Sequence, residues 1–211
     1  TILREAKKGD TIINFVSKER LDQISDTGKH QGAIAYAAAY EYSEVEDMLA
    51  LARERGEAPF LIILDGIEDP HNLGAIIRTA ECTGAHGVII PKRRNASLTW
   101  AVGKASAGAV EYVPVARVGN LASTIEDLKK RGVWVYCADM DGSPWCQVDF
   151  SGAVALVVGS EGSGVSRLIK EKSDFVLSLP MRGKITSLNA SVAASILMYE
   201  VARQRLGIKA K

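Results

Sequence analysis

Two hydrophobic periods alternate along most of this chain. Phe60-Leu-Ile-Ile-Leu64, Gly87 to Ile90, Val133-Trp-Val-Tyr-Cys-Ala138, Ala153-Val-Ala-Leu-Val-Val158 and Phe175 to Leu179 are short, largely continuous apolar runs. That is the pattern of parallel strands buried on both faces. Tyr112 to Val115 reads as one more strand. Between these runs the spacing turns helical over Leu73 to Thr83, Leu98 to Ser106, Leu121 to Arg131, Val165 to Lys172 and Asn189 to Arg205. Ser43-x-x-Glu46 has the form of a capping box opening a helix that runs to Arg55. Strict alternation of strand and helix predicts an α/β fold, with a mainly parallel sheet, helices on both faces and right-handed crossovers. The first thirty residues differ. They predict a helix over Leu3 to Gly9, a strand over Thr11 to Val16 and a helix over Lys18 to Ile24 behind an N-cap at Ser17, followed by a polar connector over Ser25 to Lys29. This piece is too small to hold its own sheet and reads as the tail of a small α/β domain whose front is missing. The expected organisation is therefore that tail over 1–28, a linker and entry segment over 29–58, and the main domain over 59–211.

Composition bounds this picture more than it points to a function. Hydrophobic residues make up 47% of the 211 positions but aromatics only 6%, so the core must be aliphatic. A net charge of +1, from 26 basic and 25 acidic residues, does not by itself announce a nucleic-acid binder. Any such binding has to come from local patches. Lys92-Arg93-Arg94 is one candidate, Arg182 with Lys184 another, and Lys104 a possible addition; each also reads as part of a solvated loop. Cys82, Cys137 and Cys146 are odd in number and contain no C-x-x-C pair, which argues for a reducing compartment. His30, His71 and His86 are scattered without spaced partners, so no metal site is expected. No apolar run reaches membrane-spanning length and the charged start is not a signal peptide, so a cytoplasmic protein with no membrane partner is expected.

Three segments carry the candidate chemistry. They are Leu64-Asp-Gly-Ile-Glu-Asp-Pro-His-Asn-Leu-Gly-Ala-Ile-Ile-Arg78, Val158-Gly-Ser-Glu-Gly-Ser-Gly164 and Leu179-Pro-Met-Arg-Gly-Lys-Ile-Thr-Ser-Leu-Asn-Ala-Ser191. Each follows or contains an apolar strand and turns into a helix. In a parallel sheet, ligands bind outside the carboxyl ends of the strands, so the three loops are expected to converge. The second is neither a Walker A loop nor G-x-G-x-x-G. Its acid, Glu161, suits a cationic ligand or a ribose hydroxyl, or else simply complements a helix dipole. In the first, Asn72 stands where an N-cap would stand. Arg78 interrupts an otherwise apolar helix and needs a partner or a polar pocket. That partner is either an acid among Asp65, Asp69 and Glu161, or a phosphate or hydroxyl of a ligand. In the third, Ser187 and Asn189 offer donors and acceptors beside free helix-start N–H groups, with Leu179, Met181 and Leu188 as apolar walls. That combination suits an adenine ring better than a phosphate; ordinary helix capping is the plainer alternative.

As an ordered set, with Asn72 and Arg78 in the first loop, Glu161 in the second and Ser187-Leu-Asn189 in the third, these segments resemble the motifs of the SPOUT RNA methyltransferases, in the TrmH/RlmB-like branch that methylates ribose 2′-hydroxyls. The resemblance covers roughly Phe60 to Arg205. Lys29-His-Gln-Gly-Ala-Ile-Ala35 is similar to the linker entering the catalytic domain of RlmB-like enzymes, and residues 1–28 to the end of their small RNA-binding domain of the L30e type. The resemblance implies a C-terminal trefoil knot and a homodimer with the site near the subunit interface. It implies S-adenosyl-L-methionine as cofactor, held by Gly159, Leu179, Met181, Ser187, Leu188 and Asn189. It also implies transfer of the methyl group to a ribose 2′-oxygen, with Arg78 contacting RNA phosphate and activating the hydroxyl, and Asn72, Glu161, Ser187 and Asn189 orienting the groups. Because arginine stays protonated, stabilisation of a developing alkoxide is the physically easier form of that role. The RNA would further meet Lys92, Arg93, Arg94, Arg182 and Lys184. The implied substrate is structured RNA, with a guanosine of large-subunit (23S) ribosomal RNA favoured and transfer RNA next. A knotted RNA-binding protein without catalysis is the alternative class. A dinucleotide oxidoreductase is disfavoured by the missing G-x-G-x-x-G.

Overall fold

A computed structural model describes residue 4 and residues 13–25, 28–34, 40–160 and 162–209. The chain divides into two units, Thr1–Ala37 and Ala38–Lys211. In the first, helix α1 (Lys18–Ile24) starts as predicted, with the Ser17 side chain accepting from the Arg20 N–H. The strand predicted to end at Val16 does not form over its described residues 13–16, which lack regular structure. A strand needs a neighbour to take its ladder hydrogen bonds, and the described residues of this unit offer none. Apart from Arg4, the helix predicted over Leu3 to Gly9 lies outside the described residues.

The second unit alternates as the sequence predicts. Its elements are α2 (Val45–Glu54), β1 (Phe60–Asp65), α3 (Pro70–Cys82), β2 (Gly87–Pro91), α4 (Trp100–Ala105), β3 (Val115–Val118), α5 (Leu121–Lys130), β4 (Trp134–Pro144), β5 (Val154–Gly159), α6 (Arg167–Lys172), β6 (Phe175–Ser178) and α7 (Ala190–Arg205). All six strands are parallel, in the order β3-β2-β1-β5-β4-β6. The central strands β1 and β5 are buried along nearly their whole length, which is why their sequences read as unbroken apolar runs. Alternate strand residues feed two cores. Phe60, Ile62, Leu64, Leu156 and Val158 pack with residues of α3, α4 and α7, whereas Leu61, Ile63, Ala155 and Val157 pack with α2, α5 and α6. The result is a three-layer α/β sandwich with helices on both faces.

Three local expectations are corrected. The capping box sits one residue later than predicted. Glu44 is the N-cap and its N–H donates to Asp47, because the Ser43 N–H is committed to Val115 O at the end of the sheet. Tyr112 to Val115 is not a strand. A 3₁₀ turn occupies Ala109–Glu111, Pro114 has no N–H to pair, and the ladder starts at Val115. Finally, β4 runs past Ala138 to Pro144, with its pairing to β6 interrupted between Ala138 and Ser143. That interruption proves important to the site.

Candidate functional site

The order reversal in the sheet falls between β1 and β5, so the loops that follow these two strands leave it side by side. Asp65, the last residue of β1, ties them together, its Oδ2 accepting from the Ser166 N–H at 2.8 Å. The first loop is pinned from the far side too. Ile67 N–H donates to Asn95 Oδ1 at 2.9 Å, and Ile67 O accepts from Ala96 at 2.8 Å. Asp69, not Asn72, caps α3. Its carboxylate accepts from His71 N–H and Pro70 takes the first helical position, where a missing N–H costs nothing. Asn72 therefore lies inside the first turn, only 9% exposed, and its Oδ1 accepts from Asn189 Nδ2 at 3.0 Å. Asn189 in turn caps α7, its Oδ1 accepting from the N–H groups of Ser191 and Val192. One pair of amides thus joins the first loop to the third.

The second loop closes on itself. Ser160 and Gly164 form an antiparallel bridge with a Gly164 N–H to Ser160 O bond of 2.8 Å, and the hydroxyls of Ser160 and Ser163 lie 2.7 Å apart. Gly159 is required here, since a Cβ would overlap the backbone of Gly164 and Val165. Glu161 lies outside the described residues.

Two cavities meet along this loop, both lined by Ser160, Gly162, Ser163 and Gly164. The larger, of about 660 Å³, is lined on its other sides by Asp65 to Asp69, Asn72, Arg93 and Arg94. Its lining is mixed in charge, with Asp65, Glu68 and Asp69 alongside Arg93 and Arg94. The smaller, of about 330 Å³, is bounded by Val158, Gly159, Leu177, Leu179, Met181, Leu188 and the loop residues Thr186 and Ser187. Its outer wall is the interrupted part of β4, Asp139 and Met140. Gly142 allows that wall to lie directly on β6, where a Cβ would meet the backbone of Val176 and Leu177. Burial pushes the Asp139 carboxyl upward. The hydrogen bond and charge of Lys170, together with the Met140 and Asp141 N–H groups, outweigh it and hold the group below the usual carboxylate range. The wall of this cavity therefore carries an ionised Asp139 carboxylate, paired with Lys170 at 2.9 Å.

The residues picked from sequence divide accordingly. Gly159, Leu179, Met181, Ser187 and Leu188 gather at the smaller cavity, and Asn72, Arg93 and Arg94 at the larger. Asn189 braces the boundary through Asn72. Lys92, Arg182 and Lys184 line neither, and Arg182 and Lys184 are exposed. Arg78 is the chief surprise. It is exposed and lines neither cavity, and it makes no hydrogen bond or ion pair among the described residues, so the expected pairing with Asp65 or Asp69 is absent. Helix geometry explains why. Six residues after Asn72 is about 240° further round α3, turned away from the face that Asn72 presents. Asp65, Ser160, Ser163, Asp139, Met140 and Thr186 were missed as site residues. The predicted strand stops at Ala138, and it is the pairing of Ser143 and Pro144 with β6 that makes the residues before them a wall. Among the described residues no cluster of His, Cys, Asp and Glu is arranged to hold a metal ion, and no helix is long and apolar enough to cross a membrane.

A composite cleft over the carboxyl ends of a parallel sheet, at its order reversal, defines an α/β ligand-binding enzyme of the kind that builds its site from loops. The chain belongs to the SpoU rRNA methylase family, whose model matches residues 59–199, and it is an RNA methyltransferase by class. Residues 1–43 match the family model described as RNA 2′-O ribose methyltransferase substrate binding. YacO of Bacillus subtilis (strain 168), assigned to the TrmH family of tRNA/rRNA methyltransferases, is 54% identical over 205 residues, covering 97% of this chain and 82% of the relative. Among solved structures, the SpoU methyltransferase AviRb from Streptomyces viridochromogenes, in complex with AdoMet, superposes with a TM-score of 0.68 at 29% identity, over 74% of this chain and 65% of that one. An AdoMet-bound rRNA methyltransferase from Sinorhizobium meliloti gives a TM-score of 0.68 at 29% identity, over 79% and 62%. This chain thus spans slightly less than two thirds of each of those structures. The family resemblance carried by the three loops is correct.

Proposed function

We propose that this chain methylates a ribose 2′-hydroxyl of RNA, using S-adenosyl-L-methionine held in the smaller cavity and receiving the nucleotide in the larger one. The observation that carries the reading is the shared rim. Ser160, Gly162, Ser163 and Gly164 border both cavities, so a ligand in each meets the other across one loop. The smaller cavity fits the cofactor on its own terms. Its volume is in the range of small-molecule sites, Leu179, Met181 and Leu188 offer apolar cover for a purine, and the Asp139 carboxylate, held by Lys170, adds a polar acceptor to the wall. Bound there, the cofactor supplies an electrophilic methyl group on a cationic sulfur. Asn72 and Asn189 fix the boundary between the two ligands, and Arg93 and Arg94 provide charge for a neighbouring phosphate.

Arg78 enters through a second copy of the chain. The exposed guanidinium of α3 and the exposed Val192 and Tyr199 of α7 suit a homodimer in which Arg78 of one protomer contributes to its partner's site. There it would contact RNA phosphate and stabilise the 2′-alkoxide as it forms. Glu161 belongs to the same set as an orienting group. The trefoil threading of the C-terminal segment is part of this reading; the tight seating of Gly142 on β6 and the position of β6 beyond β4 support it. The same reading includes residues 1–28 as the end of an L30e-like RNA-binding domain, a cytoplasmic location, and a guanosine of 23S ribosomal RNA as target. Transfer RNA is the second substrate reading, kept open because the Bacillus subtilis relative's name spans both RNAs.

Transfer of tritiated methyl from labelled cofactor into ribosomal or transfer RNA tests the reading directly. Arg78→Ala is expected to lower the rate at least about a hundredfold, in the range of losing one charge-stabilising group, while cofactor binding measured by calorimetry persists. Undiminished transfer in Arg78→Ala removes Arg78 from the mechanism. Absence of cofactor binding by the native chain removes the whole reading.

A further inference from the structure

The segment that leaves the larger cavity leads to an unusual surface. Arg93 and Arg94 border the cavity, and Asn95 and Ala96 are hydrogen-bonded to Ile67. The Leu98 N–H donates to the Tyr42 hydroxyl at 2.9 Å, with the Leu98 side chain buried, so this stretch is held at several points. It ends in α4, whose first residue, Trp100, is 71% exposed. One turn on, Lys104 Nζ lies 5.4 Å from the centre of the Trp100 ring, and Lys104 makes no ion pair among the described residues. Arg93 and Arg94 make none either. An exposed indole costs solvation, and Arg93, Arg94 and Lys104 place three cations without close ion pairs among the described residues along one short segment. Both features become favourable against a ligand that is aromatic and anionic at once.

Resting on the RNA methyltransferase reading above, we propose that Trp100 and Lys104 form a stacking platform for an unpaired base of the substrate RNA, next to the nucleotide in the larger cavity. The indole takes the base face. Lys104 and Arg94 take phosphates on either side of it. Alternation of an aromatic with cations is what single-stranded nucleic acid requires, and stacking of this kind tolerates any base. Trp100 lies six positions after Arg94, at most about 20 Å of chain, so one strand spans both. The platform also supplies phosphate contacts that the near-neutral net charge does not promise.

Trp100, Trp134 and Trp145 are the chain's three tryptophans, so Trp134→Phe with Trp145→Phe leaves Trp100 as sole emitter. Titration of that variant with a short single-stranded RNA is expected to quench and shield Trp100, and duplex RNA of the same sequence to do so far less. Trp100→Ala should weaken single-strand binding about tenfold and Trp100→Phe much less, with cofactor affinity by calorimetry unchanged in both. Lys104→Ala should flatten the dependence of log affinity on log salt by about one unit. An emission unchanged at saturating RNA, or one that shifts with protein concentration in the absence of RNA, overturns the platform; the latter assigns Trp100 to contact between copies. Quenching by RNA without any methyl transfer would instead leave the platform standing and defeat the catalytic reading.

Discussion

At the scale of residues, small groups set the site by contact rather than by chemistry of their own. Gly159 is the sharpest case, because the hairpin of the second loop folds back onto its Cα. Gly159→Ala is expected to push Ser160 to Gly164 outward and to weaken cofactor binding by at least about tenfold, some 1.4 kcal/mol. Isothermal calorimetry reads this directly, and unchanged affinity would mean the loop has slack. Asn72 shows how a sound local rule misses. Read along the chain, Asp69-Pro-His-Asn offers two capping residues, and Pro70 favours the first because proline fits the opening position of a helix. Released from capping, Asn72 is available to Asn189, a partner 117 positions away that no local pattern announces.

At the scale of elements, the start of β1 is bolted from outside the ladder. The Phe60 N–H donates to His86 Nδ1 at 3.0 Å, and His86 Nε2 lies 3.1 Å from Glu57 Oε2. The guanidinium of Arg205, at the end of α7, donates to the carbonyls of Ala58, Pro59 and Gly152 and covers the Phe60 ring. His86 has no solvent exposure, and it must be neutral to accept from Phe60. Burial lowers its pKa from the usual 6.5, more than the nearby Glu57 carboxylate raises it. The folded chain therefore binds the proton less readily than the unfolded chain. Stability from this group is complete above about pH 6.5 and is lost as pH falls through the depressed folded value. Urea midpoints are expected to fall below pH 6.5, and the slope should lessen in His86→Gln, which has nothing to titrate there. A midpoint equally pH-dependent in the variant would assign the effect to other groups.

At the scale of the whole molecule, a single protomer leaves Arg78 facing solvent beside an α7 surface carrying Val192 and Tyr199. Sedimentation is expected at twice the mass of the chain, and Tyr199→Glu should shift the chain toward monomer and lower methyl transfer together. A fully active monomer would detach Arg78 from the partner's site. The layered α/β class, the order of the elements and the three loops could all be read in the sequence, because buried strands and amphipathic helices impose their periods on neighbouring residues. The misplacements at Ser43, Tyr112 and Asp139 share a cause: each depends on which distant backbone takes up the local hydrogen bonds. The sequence by itself determined the set of loops that bear the chemistry, since glycine, proline and capping residues mark strand-to-helix turns wherever they fall. Only the tertiary structure decided how those loops divide the work. Whether a side chain reaches a cavity depends on strand order, on register and on the angle between residues around a helix, and it is these that put Asp139 in the wall and turned Arg78 away from it.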